Sequence, residues 1–398
     1  MKPRKWRMGM VGGGIGAFIG AVHRMAAQLD SAIELVCGAF SSDPHRSRES
    51  GLALGVLPER SYRSWEEMFV RELLLPPTVR MDFVSIVTPN HLHFPIAEAA
   101  LQAGFPVVCD KPLCRTLDEA RKLFALARQT KLPFCVTYNY SGYPLVKHAR
   151  WLVLSGKLGR VRKVVVEYPQ GWLARPIERE GQKQASWRTN PEFAGLGGAI
   201  GDIGTHAAHL AEYVTGQRIT HVCADLTSFV EGRVLDDDAS VLLRFSEGAR
   251  GILHASQVCI DEENGLSIRV YGTEGGLEWH QEEPNTLILK WPNRPREIVR
   301  AGVNSHADLA PAARAACRLP LGHPEGFIEA FANVYRGFTQ ALACRAGESV
   351  PDPQRLDYPT VEEGARGVAF VEAVIRSAKS DAAKWVPVAD LRSEEANP

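Results

Sequence analysis

The chain of 398 residues lacks an excess of either charge: forty-six Lys and Arg balance forty-six Asp and Glu. A protein that tracks a phosphate backbone carries a basic surplus, so nucleic acid is not an expected partner. No stretch approaches the roughly 18 apolar residues of a membrane span. The basic start MKPRKWR runs straight into MGMVGGG without an apolar h-region, so no secretory signal is read there. Eight cysteines are scattered with no CxxC pair and no zinc-like spacing, which sets aside a disulfide framework and a metal site. Reduced thiols in a cytoplasmic protein are the expectation. Repeats, low-complexity tracts and a long linker are lacking too. What remains is an ordinary globular composition, 45% hydrophobic and 23% charged. The length exceeds what one core usually supports, so two domains are expected, residues 1–140 and 141–398.

From Arg7 to about Tyr140 short apolar runs alternate with helical stretches. RMGMVGG, IELVCGAF, MDFVSIVTP, FPVVCD and PFCVTYN read as strands. Residues 14–29, SWEEMFVRELL, FPIAEAALQAG and residues 113–130 read as the helices between them. Near-continuously apolar strands alternating with helices predict an α/β Rossmann domain, a parallel sheet covered on both faces. Ligands of such sheets bind outside the carboxyl ends of the strands. The first strand ends in VGGGIGA, where Gly12, Gly14 and Ala17 satisfy G-x-G-x-x-G/A. Glycine there permits a tight turn, lets the backbone at Gly14 and Ile15 approach a pyrophosphate, and aims a helix N-terminus at that anion. An acid at the end of the second strand would hold the ribose of NAD. Phe40 or Ser41 occupies that place and Asp43 comes late, while Ser41, Ser42 and Arg46 suit a 2′-phosphate. NAD and NADP are both open.

Lys111 in CDKPLC follows the strand that ends near Cys109, and Thr88, Pro89 and Asn90 end the preceding one. The two loops therefore face one crevice. His91 and His93 have no carboxylate partners in sequence and read as capping, cofactor or substrate contacts rather than metal ligands. Near mid-chain, GGAIGDIGTHAAHL gathers four glycines where the chain enters a helix that runs from Asp202 to a stop at Gly216. Asp202 and His206 are then i and i+4 neighbours, with a carboxylate placed to adjust an imidazole. A capping Asp followed by a core histidine fits the same spacing.

As an ordered set, VGGGIGA, DKP and GG-x₃-D-x₃-H resemble the Gfo/Idh/MocA family of oxidoreductases. SWR at 186–188, HPEGFIEAFANVY at 323–335 and YPTVEEGARGVAFVEAV at 358–374 are similar to its sugar and inositol dehydrogenase branch. The resemblance covers essentially the whole chain. It implies that Lys111, with Asp110 in place of the usual Glu, touches both nicotinamide ribose and substrate. It implies further that Asp202 and His206 form the substrate-side pair and that Arg188 is a cofactor-side contact. Thr88, Pro89, Asn90 and His93 match the loop against the nicotinamide half. Two departures imply an altered pocket: His209 where the family often has Asp, and Ser141 where it commonly has Arg. The implied activity is hydride transfer between NAD or NADP and a secondary hydroxyl of a cyclic sugar, sugar derivative or inositol. His206 is then the base, Lys111 stabilises the developing alkoxide, and Asp202 orients the substrate. A non-catalytic sugar- or dinucleotide-sensing regulator and a glycosidase working by transient oxidation with NAD are the alternatives.

After Tyr140 the pattern changes. RVRKVVVEY, THVCADLTSFV, ASVLLRF, ARGILHASQV, LSIRVYGTEGG and NTLILKW read as strands, with hairpin connections at SEGAR and GTEGG. This predicts an α+β domain whose large, mostly antiparallel sheet carries helices on one face and leaves the other open. The resemblance implies that a second subunit covers that face, giving a homodimer or homotetramer. Asp236–Asp238 reads as a solvated turn, and Trp172 and Trp187 as sugar platforms or plain packing. His323 is a candidate substrate contact. The helix near 361–379 resembles one that returns across the domain junction.

Overall fold

A computed structural model of the chain describes residues 4–352 and 354–391. Strands β1 (Trp6–Gly12), β2 (Ile33–Ala39), β3 (Phe83–Val87), β4 (Val107–Cys109) and β5 (Phe134–Val136) form a parallel sheet in the order β2-β1-β3-β4-β5. The crossovers carry α1 (Phe18–Leu29), α2 (Pro44–Ala53), α3 (Trp65–Leu74), α4 (His93–Gln102) and α5 (Leu117–Thr130). Every residue of β3 is buried, as a strand covered on both faces requires. Local chemistry sets the helix starts. Asp43 caps α2, Ser64 caps α3, and Thr116 with Glu119 forms a capping box on α5. The chain leaves β1 to one side for β2 and returns to the other side for β3, which opens a crevice at the carboxyl ends of β1 and β3.

The second half begins with α6 (Pro144–Leu154) and β6 (Lys163–Pro169). An excursion carrying α7 (Lys183–Arg188) and α8 (Pro191–Ala194) leads into α9 (Thr205–Thr215). Strands β7 (Ile219–Thr227), β8 (Asp238–Phe245), β9 (Arg250–Ser256), β10 (Ser267–Tyr271), β11 (Gly276–His280), β12 (Thr286–Trp291) and β13 (Arg294–Arg300) follow. Then come α10 (Pro311–Ala316), α11 (Phe327–Arg345), α12 (Val361–Lys379) and β14 (Val386–Pro387). The sheet order is β13-β12-β11-β10-β6-β9-β8-β7-β14, antiparallel throughout except for the β6–β9 pair. Burial alternates as a one-faced sheet demands: Ala239, Val241, Leu243 and Phe245 of β8 are inside, and Ser240 and Leu242 outside. The sequence reading missed β13 because only Val299 of RPREIVR is buried. That charged, Pro-containing segment has the composition of an edge strand that resists further pairing.

The two sheets are joined by α11 and α12. Phe331, Tyr335 and Phe338 of α11 share a core with Met8, Met10 and Phe83 of the parallel sheet. α12 packs on α5 and β5 as well as on α9 and β7. Asp30, at the end of α1, receives hydrogen bonds from Arg318 (2.7 and 2.9 Å) and from Arg336 (2.9–3.1 Å). The walls of the crevice are thus fixed to each other through shared helices. Among the described residues no helix is long and apolar enough to cross a membrane.

Candidate active site

The turn after β1 holds Gly12 and Gly13 in the left-handed region, at φ +81° and +70°. A Cβ on Gly20 would stand 2.3 Å from Gly13 Cα, so Gly13 and Gly20 form the close strand–helix approach, a pair the motif alone does not single out. Gly14 N–H donates to Phe40 O (3.2 Å), Ile15 N–H to Ser50 Oγ (3.1 Å), and Arg24 Nη1 to Gly13 O (2.5 Å). Among the described residues no side chain caps α1, which leaves its N-terminal N–H groups to an anion. At the end of β3, beside this turn, Thr88 Oγ1 is buried without a partner among the described residues. A glycine cradle, an uncapped helix and an orphaned hydroxyl together fit a dinucleotide. At the end of β2, Asp43 is committed to the cap of α2 (Arg46 N–H, 2.9 Å) and its own N–H donates to Ser41 Oγ (3.1 Å). Ser42 and Arg46 lie exposed beside it.

His93 bridges the two catalytic-face loops, with Nδ1 2.8 Å from Pro112 O and Nε2 2.9 Å from Thr88 O. Its ring is wedged between Thr88–Pro89 and the Lys111 loop with both nitrogens turned to main-chain carbonyls, one of them as donor. Asn90 Nδ2 donates to Ala194 O (3.1 Å), and His91 packs edge-tilted on Phe193 at 5.2 Å. The excursion before α9 is therefore fastened across the crevice.

Lys111 Nζ donates to Asp202 Oδ1 (2.7 Å) and to the Asp202 carbonyl (2.8 Å). Arg188 Nε (3.2 Å) and Gln257 Nε2 (2.9 Å) donate to the other carboxylate oxygen. Burial works against the charge of Asp202, but Lys111 and Arg188 overcome it and hold the carboxyl well below the usual carboxylate range. His206 is buried among the edges of Tyr140, Tyr138 and Tyr168, at ring distances of 4.8, 5.5 and 6.4 Å. Burial first, and then the Lys111 ammonium, hold its imidazole well below its ordinary pKa. Among the described residues neither ring nitrogen forms a protein hydrogen bond, and Nδ1 is fully buried. The site presents a neutral imidazole beside a fixed ammonium.

This arrangement corrects the expected Asp202–His206 contact. The chain enters α9 through a π-turn over Ile200–Gly204, and the Asp202 carboxylate turns to Lys111, Arg188 and Gln257. It acts on His206 only through space. The reading of Asp236–Asp238 as a solvated turn is corrected as well. Asp236 accepts from Gly198 N–H (2.7 Å) and Ile200 N–H (2.8 Å), and its carbonyl accepts from Ala199 N–H (2.8 Å). A Cβ on Gly198 would lie 2.0 Å from that carbonyl, which explains the glycine. Asp237 is buried on Phe229 N–H, Val230 N–H and Arg233, and Asp238 faces His254 at 3.4 Å. Asp236 thus pins the segment that delivers Asp202.

The remaining sequence candidates fall on either side of the site. The Arg188 guanidinium lies over Trp187 at 4.2 Å and 6.0 Å from Trp172, so both indoles flank the cluster. Trp172 Nε1 donates to Gln170 Oε1 (3.1 Å), Gln170 Nε2 to Asn264 Oδ1 (2.9 Å), and Tyr168 O–H to the same oxygen (2.6 Å). Tyr140 and Tyr168 are hydrogen-bonded through their hydroxyls. Apart from Trp172, no role in the site could be read from the sequence for the members of this ladder or for Gln257 and Asp236, because they come from separate segments. His209 stacks on Tyr138 at 4.3 Å and turns toward Glu363 of α12, 3.5 Å away. Ser141 Oγ closes its own turn on Tyr138 O (2.9 Å). His323 is exposed on the loop before α11, and the structure gives it no place in the cluster.

Residues 6–138 match the oxidoreductase family with an NAD-binding Rossmann fold, and residues 146–278 match the GFO/IDH/MocA C-terminal domain. The chain is 33% identical over 388 residues to the uncharacterized oxidoreductase YfiI of Bacillus subtilis (strain 168), covering 97% of each. It is 28% identical over 310 residues to levoglucosan dehydrogenase of Pseudarthrobacter phenanthrenivorans, covering 70% of this chain and 75% of that one. An inositol dehydrogenase homolog from Azotobacter vinelandii, solved with NAD+, superposes with a TM-score of 0.90 at 38% identity, over 96% of this chain and 97% of that one. The glycine cradle, the Lys111 loop and the two-sheet architecture agree with these matches, and the chain belongs to the Gfo/Idh/MocA family of NAD-dependent oxidoreductases.

Proposed function

We propose that the protein oxidises a secondary hydroxyl of a cyclic polyol or anhydrosugar, with His206 as base and Lys111 as the cation on the reacting oxygen. The observation that carries this reading is the buried imidazole of His206, without a hydrogen bond among the described residues, beside the ammonium that Asp202 fixes. The hydroxyl proton passes to a ring nitrogen of His206, and Lys111 Nζ donates to the oxygen as alkoxide charge develops. Asp202 keeps the ammonium in place and Arg188 and Gln257 keep Asp202 in place. Gly12–Gly16 and the start of α1 would hold the pyrophosphate of the dinucleotide, and Thr88–Asn90 would lie on its nicotinamide side. The bound nicotinamide supplies the hydride acceptor. The substrate class rests on the similarity to an inositol dehydrogenase homolog and to levoglucosan dehydrogenase, and on a wall of aromatic edges and neutral amides that suits an uncharged ring.

The test is nicotinamide absorbance with NAD across inositols, anhydrosugars and hexoses. Reduction with one substrate group that disappears in Lys111→Ala is the expected outcome. Tight cofactor binding with no reduction by any of them would overturn the reading. A second copy of the chain covers the open sheet face, where Leu242 and Ile252 are 46% and 38% exposed. Light scattering should show an oligomer that Leu242→Lys with Ile252→Lys converts to monomer.

A further inference from the structure

A second buried histidine lies outside this cluster, on the helix that follows the cofactor turn. His23 of α1 is wholly buried. Its Nδ1 is 2.7 Å from Tyr335 Oη and 3.2 Å from Ser85 Oγ, and those two hydroxyls are 3.1 Å apart. On the opposite side Nε2 has no hydrogen-bond partner among the described residues and stands 3.8 Å from Asp110 Oδ1. That gap is too long for a hydrogen bond and leaves the ring and the carboxylate facing each other across the strand end. Asp110 Oδ1 also accepts from Thr137 Oγ1 (2.7 Å), and Asp110 is bonded covalently to Lys111. The next residue on α1, Arg24, holds the carbonyl of Gly13 in the cofactor turn, and Gly20 packs on Gly13. One helix therefore grips the dinucleotide turn with Gly20 and Arg24 and sets His23 against the strand end that carries Lys111. α11 braces it through Tyr335.

We propose that His23 is a positioning residue that, through Asp110, sets the Lys111 ammonium relative to the dinucleotide turn. The inference rests on the reading of Lys111 given above. Displacing a reacting group by about 1 Å can cost about 10²-fold in rate, and His23 controls a displacement of that kind without touching substrate. The test uses His23→Gln and Asp110→Asn, singly and together, and Asp110→Glu, whose longer side chain spans the gap. Each single variant should lower kcat by about 10- to 10²-fold while substrate KM and NAD affinity stay within about twofold. The double variant should be no slower than the worse single one, because both break one link. Asp110→Glu should keep kcat within about threefold of the parent. In the cofactor-free protein, acylation of Lys111 followed by peptide mapping should be several-fold faster in His23→Gln. If His23→Gln does not fold, Tyr335→Phe, which removes one hydroxyl, should move kcat and labelling in the same direction. Folded variants with parental kcat and Lys111 labelling, or single losses that multiply in the double variant, would overturn the proposal. Lys111→Ala run alongside separates the failures. Activity retained there sinks the reading of the site, whereas activity lost there but kept in the His23 and Asp110 variants sinks this inference alone.

Discussion

The two walls of the crevice are built from different materials. On the Rossmann side the groups that matter are backbone: left-handed glycines, an uncapped helix, and loops tied by His93 and Asn90 to main-chain carbonyls. On the other side they are charged and aromatic side chains, with Asp202 shared by Lys111, Arg188 and Gln257. A backbone wall suits a partner of fixed chemistry, since almost any side chain preserves it once the glycines are present. A side-chain wall is specific and fragile, because its members are half-buried or buried polar groups that satisfy one another, and removing one leaves its partner unpaired. Substitutions on the second wall should therefore cost more per atom than those on the first.

The largest effect is expected where the walls meet. Lys111→Ala and His206→Ala should each lower turnover by at least about 10²-fold in a steady-state assay with NAD, the low end for acid–base catalysis. Near-parental rates in both would dissolve the distinction between the walls. Asp236→Ala comes next, since it deletes no group that touches substrate yet leaves the N–H groups of Gly198 and Ile200 unpaired. A loss of about 2–4 kcal/mol in urea unfolding, with kcat falling as well, is expected from two orphaned buried donors. A variant of parental stability would show that the π-turn holds Asp202 without Asp236.

The walls should also separate in their response to pH. The folded pKa of His206 is depressed below its ordinary 6.5, so the unfolded chain takes up a proton that the native one refuses. Stability is then fully present above that value and is lost as pH falls beneath it. Asp202 has a depressed pKa as an acid; its contribution stands above the ordinary carboxylate value and is lost as pH falls through the folded one. For catalysis, His206 stays in its basic form through neutral pH, so the acid limb of kcat/KM should lie under pH 6.5. A limb centred at or above that value would mean that another group is the base.

The same contrast decides what could be read from the sequence. Gly12, Gly14, Lys111 and the glycines ahead of Asp202 are punctuation in their own segments, and strand–helix alternation placed them at one edge. The groups that hold the second wall in place follow no local rule. Gln257, which donates to Asp202, lies just past β9, Asn264, which joins Tyr168 to Gln170, lies in a loop, and Asp236, which pins Gly198 and Ile200, sits in an acidic run that reads as a solvated turn. Where local spacing was trusted, at Asp202 and His206, a π-turn re-aimed the carboxylate. His323 shows the converse, a residue in a suggestive stretch that the fold leaves exposed.

The smallest effect is expected on the backbone wall, and it concerns the cofactor rather than the rate. The acid after β2 is used up as a helix cap, with Asp43 Oδ1 accepting from Arg46 N–H at 2.9 Å. The exposed Arg46 guanidinium and Ser42 hydroxyl are left at the edge where an adenosine ribose would lie. A guanidinium there interacts with a 2′-phosphate and has nothing comparable to gain from a 2′-hydroxyl. Arg46→Ala should therefore raise the KM for NADP by about fivefold or more while moving that for NAD by less than about twofold. The ratio of the two KM values checks it, because a general loosening of the turn would raise both together. Equal shifts would mean that Arg46 supports the fold of α2, and that the dinucleotide is recognised on this wall by backbone groups alone.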